Sequence, residues 1–198
     1  MNKPFDGDHA RAVLDFWFGA PGSATDGKPR AEWFRKSDAF DRTIERAFAP
    51  LIEAALDGAL RDWDGQPASA LARILLLDQF TRNVFRDTPR AFAGDALALA
   101  AAQALVARGG DLGLSPWQRS FVYLPFEHAE DLAMQDESMR LFTRLDGEAQ
   151  GFAATLDYAR RHRAIIERFG RFPHRNAILG RESTPEELAF LQQPGSSF

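Results

Sequence analysis

A chain of 198 residues, 45% apolar and with 17 Phe, is long enough to bury a sizeable core, and one compact domain is the expected organisation. Its 24 basic and 28 acidic residues give a net charge of −4, which supplies no electrostatic reason to expect a nucleic-acid partner. Cysteine is absent, which excludes disulfides, thiolate catalysis and cysteine-ligated metals.

The chain opens with Lys3 followed by Asp6, Asp8 and Asp15, without the uninterrupted apolar stretch of a secretory signal, so a cytoplasmic location is expected. After a loop rich in Gly, Pro and Ser from Gly19 to Pro29, helical periodicity runs from Asp38 to Leu56. A second loop, Asp62 to Pro67, leads to a helical segment from Ala68 to Phe80. Thr88-Pro89, Ser115-Pro116 and Thr184-Pro185 each place a capping hydroxyl before a proline suited to the first helical position. Ser115 with Gln118 and Thr184 with Glu187 add capping-box spacing. Further helical segments are predicted at Asp95–Val106, Pro116–Leu145 and Gly151–Phe169, with Pro125 splitting or kinking the longest of them. The alanine-rich run Ala96–Ala107 is too short to span a bilayer and contains Gln103, so no membrane association is expected. No convincing period-two strand occurs. The pattern predicts an all-α single domain over residues 1–198, compatible with tandem helical hairpins but without a strict repeat period.

The dipeptide Arg-Asn recurs in similar settings, Arg82-Asn83 in FTRNVFRDTP and Arg175-Asn176 in FPHRNAILGRESTP, each followed by another Arg and by Thr-Pro. Their fixed hydrogen-bond donors must find partners in the protein or in a ligand, and the two stretches are expected to converge in space. Asp78 extends the apolar stripe of Leu71, Ile74 and Leu75, so it should be partly buried and compensated by Arg82 at i+4, as a structural pair or as a ligand clamp. Gln79, Asn83 and Arg86 raise the polar density beside them. Around FEHAEDLAMQ, helical spacing places Glu127, His128, Glu130, Asp131 and Gln135 on one polar arc, a solvated acidic face or an acid/base site centred on His128. The basic run from Arg160 to Arg181 could face this acidic stretch. His162 has the spacing of a core histidine, whereas His174, between Arg171 and Arg175 and after Pro173, is the preferred functional histidine. Trp17, Trp33, Trp63 and Trp117 are expected in the core rather than in a groove.

The segments VLDFWFG, LLLDQFTRNVFR, YLPFEHAEDLAMQ and RFGRFPHRNAILGRESTPEE together resemble the bacterial Domain of Unknown Function 924 family over nearly the whole chain. That family is similar in fold to tetratricopeptide-like helical proteins, so the resemblance implies stacked antiparallel hairpins, and it implies no established activity. Asp78, Gln79, Arg82, Asn83, His128, Glu130, Asp131, Gln135, His162, Arg171, His174, Arg175, Asn176 and Arg181 match the family pattern. Thr81, Asp87, Glu127 and Ala129 depart from its usual Pro, Gly, Met and Ser.

Three functional readings compete. The first is a polar groove that binds a small anionic molecule or a peptide through Asp78, Gln79, Arg82, Asn83, Arg171, Arg175 and Asn176. The second is a hydrolase or other acid/base enzyme in which His128, Asp131 and His174 act beside Arg175. The third is a protein-interaction module whose polar residues are internally paired. No zincin or calcium-loop spacing marks a metal site, no Gly-x-Ser-x-Gly elbow or phosphate loop occurs, and neither a cofactor nor an oligomeric state is specified.

Overall fold

A computed structural model describes residues 5–197, and among them the fold is all-α, with helices and no strand. Two compact units are present: residues up to Arg86 together with Arg90–Pro125, and Asp87–Pro89 together with the chain from Phe126 onward.

In the first unit, α1 (Gly7–Phe18) starts at Asp6, whose carboxylate accepts the N–H groups of Asp8 and His9 while the His9 ring accepts that of Asp6. This helix is not among the segments predicted from periodicity, although Ala10, Val13 and Trp17 form its buried stripe. It ends at Gly19, φ +91, where a Cβ would lie 2.4 Å from Thr25 Oγ1, so the turn requires glycine. Helix α2 (Asp38–Leu56) is capped by Ser37 and buries Ile44, Phe48, Leu51 and Ile52. Helix α3 (Pro67–Leu75) is buried from Ala70 to Leu75 and packs against α1 and α5 (Asp95–Ala107). The predicted segment to Phe80 therefore exists, but its last part, Leu76–Phe80, is a π-helical turn that leads into α4 (Thr81–Val84). Aromatic rings fill the space between these elements. Trp17 lies 5.3 Å from Phe80 and 5.6 Å from Phe121, and Trp33 lies 5.0 Å from Phe121 and 5.5 Å from Trp117, ring centre to ring centre. Trp17, Trp33 and Trp63 are core residues.

Three expectations need correction. Thr88-Pro89 opens only a short 3-10 helix, Pro89–Phe92; the chain bends again at Gly94, which sits against the Leu77 carbonyl, before α5 begins. Pro125 does not end its helix: α6 (Pro116–Glu127) runs through it, and the break comes at His128–Asp131. Consequently FEHAEDLAMQ is not one amphipathic helix. Asp131 caps a new helix, α7 (Leu132–Glu148), by accepting the Met134 N–H, while the Gln135 amide donates to the carbonyls that α6 leaves open. By length and composition, Pro89–Ala107 is apolar enough to cross a membrane, a longer stretch than Ala96–Ala107 alone. Ala98, Ala101, Ala102 and Leu105 on α5 are buried in the structure.

In the second unit, α7 and α8 (Ala153–Phe169) form a hairpin. Helix α8 ends at Gly170, φ +69, and the chain returns through a 3-10 turn, Pro173–Arg175, to α9 (Pro185–Leu191). Ile165, Ile166 and Phe172 form an apolar cluster joined by Phe169 and Phe190. The capping box read from Thr184 and Glu187 is present. The acidic and basic stretches do meet, with Arg163 Nε donating to Asp136 at 2.7 Å and Arg181 clamping Glu130.

Candidate functional site

Asp78, Gln79, Arg82 and Asn83 all lie in the first unit, on the π-helical turn and α4. Asp78 is 1% exposed, and its carboxylate faces Arg82 Nη1 at 3.1 Å. Arg82 is simultaneously bidentate to Asp95, at 2.8 and 3.1 Å, and returns one N–H to the Asp78 carbonyl. Gln79 donates to Asp78. Asn83 donates to Asp41 at 2.7 Å, and Arg86 binds the same carboxylate at 3.1 and 3.2 Å. Asp41 and Asp95, which the sequence did not indicate as partners, thus complete a network that ties α4 to α2 and α5.

Arg171, Asn176 and Asp131 are likewise held by protein groups in the second unit. Arg171 is bidentate to Glu187 at 2.6 and 2.8 Å, and its guanidinium holds the Glu187 carboxyl down to about 2. Asn176 is fully buried, donates to Ser183 and Glu187, and accepts from Arg181 at 3.0 Å. Arg181 Nη2 also meets Glu130 at 2.8 Å, and Glu130 accepts the Phe172 N–H at 2.7 Å. Burial works to raise the Glu130 pKa, but the bonds from Arg181 and Phe172 prevail and hold it below the ordinary carboxylate value. Asp131 is a helix cap.

His128, His174 and Arg175 are placed differently. His174 and Arg175, with His162, lie around the buried Phe172 ring, and His128 lies beside His162. Phe172 lies 5.4 Å from His162 and 5.7 Å from His174, His128 lies 6.2 Å from His162, and the Arg175 guanidinium lies over Phe172 at 4.6 Å. His128 and His174 are half-buried, whereas His162 and Arg175 are buried. Behind this group His162 Nδ1 meets the Tyr158 carbonyl at 2.9 Å and Glu127 Oε1 at 3.2 Å. A carbonyl oxygen can only accept, so the bond to Tyr158 places the proton on Nδ1 and leaves Nε2 as the basic atom. Burial first, then the adjacent His128, Arg175 and His174, push the His162 pKa down to about 3. With the imidazole neutral, its 3.2 Å approach to Glu127 is a close polar contact rather than an ion pair. The structure therefore gives His162 and Glu127 a larger part than their spacing suggested: Glu127 stands out in the sequence as one member of the polar arc and by its departure from the family pattern, and neither signal points to His162. Among the described residues no group of His, Asp and Glu is arranged to hold a metal ion.

The first unit also has a cleft of about 580 Å³, a size suited to a small molecule, along α1 and the 19–29 loop. Asp8, Arg11, Asp15, Asp26 and Trp117 are among its lining, and none of the sequence-derived site residues is.

A protein of unknown function from Agrobacterium tumefaciens, ATU0120, has a solved structure that is similar to this chain with a TM-score of 0.81 and 43% sequence identity, over 92% of this chain and 96% of that one. Among curated proteins none matches. A family profile described as "Bacterial protein of unknown function (DUF924)" matches residues 13–195. With that match over most of its length, the chain belongs to the DUF924 family of bacterial proteins.

Proposed function

We propose that the protein binds a small anionic ligand, a carboxylate or phosphate, in the second unit against His128, His174 and Arg175. The observation that carries this reading is the gathering of two histidines, His162 and His174, and the buried Arg175 around the Phe172 ring, with a third histidine, His128, beside His162. Arg82, Asn83, Arg171, Asn176 and Arg181 form a frame with Asp41, Asp95, Glu130 and Glu187. Half-buried imidazoles beside a guanidinium supply donors for an oxyanion while the Phe172 ring supplies an apolar floor. The α7–α8 hairpin supports a tetratricopeptide-like reading of the helices, in which such hairpins present binding surfaces.

Calorimetric titration with phosphate and with short dicarboxylates tests the proposal. Micromolar to millimolar binding that Arg175→Ala weakens at least tenfold supports it; binding unchanged in Arg175→Ala and in His174→Ala removes the site from consideration. A second reading, acid/base catalysis, is favoured by the Glu127–His162 contact, because a carboxylate on Nδ1 orients Nε2 toward a proton-transfer partner. A hydrolase substrate screen on the parent and on His162→Asn tests it, since retained turnover in the variant excludes His162 as the base.

A further inference from the structure

Two buried polar atoms of α7 are left without a partner by the protein itself. Gln135 and Ser138 are both fully buried at 0% exposure, yet Gln135 Oε1 and Ser138 Oγ make no hydrogen bond. The Gln135 amide directs its N–H groups at the Glu127 and Ala129 carbonyls, at 2.7 and 2.8 Å, so its oxygen is turned away from them. Ser138 is three residues on, hence on the same face one turn away. A buried helical hydroxyl ordinarily bonds back to a carbonyl one turn earlier, as Thr81 does to Leu77 at 2.7 Å, and Ser138 does not. Helix α8 packs along α7, and Arg163 of α8 bonds Asp136, one residue after Gln135.

Leaving both atoms unmet would forfeit two hydrogen bonds inside the unit, and a donor that can serve both is a single water. We propose that one ordered water bridges Gln135 Oε1 and Ser138 Oγ within the α7–α8 seam, and that it fixes the Gln135 amide in the orientation that holds the Glu127–Ala129 turn. This rests on the site reading above, because it makes Gln135 and Ser138 positioning residues for Glu127 and His128. The bridge works indirectly: water donates to Oε1, the amide keeps its N–H groups on the carbonyls, and the carbonyls fix where the two site residues sit.

A crystal structure of the full chain at about 1.5 Å, paired with amide NMR of the parent and Ser138→Ala, tests the proposal without any ligand. The expected result is a water within hydrogen-bond distance of both atoms, lost in Ser138→Ala, with shifted Glu127, His128 and Ala129 amide signals and a Tm lower by about 2–4 °C. A dry seam with Ser138 Oγ bonded to the Met134 carbonyl overturns it, as does a Ser138→Ala variant whose amide signals at 127–129 stay in place. Absence of phosphate binding with the water present would count against the ligand site alone.

Discussion

Glu127 Oε1 lies 3.2 Å from His162 Nδ1, and both side chains are buried. A carboxylate in such a place adds a polar contact that His162 does not depend on, because the Tyr158 carbonyl already accepts from the same nitrogen. Replacing Glu127 by Met, the usual residue of the family pattern, removes a buried polar group without stranding the imidazole. Exchanging a buried polar group on which no partner depends for an apolar one of similar volume relieves its desolvation cost. Glu127→Met is therefore expected to leave urea-unfolding stability within about 1 kcal/mol of the parent or above it. A loss of more than about 3 kcal/mol, typical of breaking a required buried pair, would show that the carboxylate is essential to the fold.

His162 also sets a pH dependence. Its pKa falls from 6.5 to about 3 on folding, so between those values the unfolded chain takes up a proton that the native state refuses. Its contribution to stability is complete above pH 6.5 and declines as the pH falls toward 3, by at most ~1.4 kcal/mol per unit. Unfolding free energies measured from pH 7 to 4 should show this slope in the parent and a shallower one in His162→Asn. Parallel profiles would contradict a neutral buried His162.

Arg82 neutralises two carboxylates at once, one of them, Asp78, almost fully buried. Arg82→Ala leaves that carboxylate without its cation and is expected to cost about 3–5 kcal/mol. Arg82→Lys keeps the charge but cannot reproduce the two-pronged contact with Asp95, so it should fall between Ala and the parent. Chemical denaturation of the three proteins ranks them, and equal stability of Ala and parent would refute the role.

Gly94 illustrates a purely steric demand. Its φ is unremarkable at −90, but a Cβ there would meet the Leu77 carbonyl oxygen at 2.1 Å. Neither backbone segment can yield cheaply, so Gly94→Ala should destabilise by at least the roughly 1–3 kcal/mol usual for overpacking. Thermal melts of this variant beside Gly65→Ala, a position with open space around it, separate crowding from the loss of glycine as such.

Local chemistry was the legible part of this sequence. Thr184 with Glu187, Ser115 with Gln118, and Asp78 with Arg82 are spaced three or four residues apart, and each contact could be read from helix geometry. Asp41 lies 42 residues from Asn83, and Glu130 lies 51 from Arg181, distances over which residue type alone selects no partner. The polar arc at Glu127–Gln135 misled for a related reason. Helical spacing holds only while the helix continues, and here the Asp131 cap and the Gln135 amide, both local signals in themselves, combine to end one helix and start another. His162 was rightly placed as a core histidine, but its contact with Glu127 depends on the turn that the arc concealed.

The π-helical turn at Leu76–Phe80 bears on how the chain tolerates a change of length. Such a turn houses one residue more than an ordinary helical path, and each residue advances a helix by about 100°. Deleting a single residue from it would let the backbone settle into a regular helix while swinging Arg82, Asn83 and Arg86 more than a quarter-turn away from Asp95 and Asp41. The shorter chain would have the better helix and the worse protein. An insertion that looks like a flaw in helix geometry is what aims the first Arg-Asn pair.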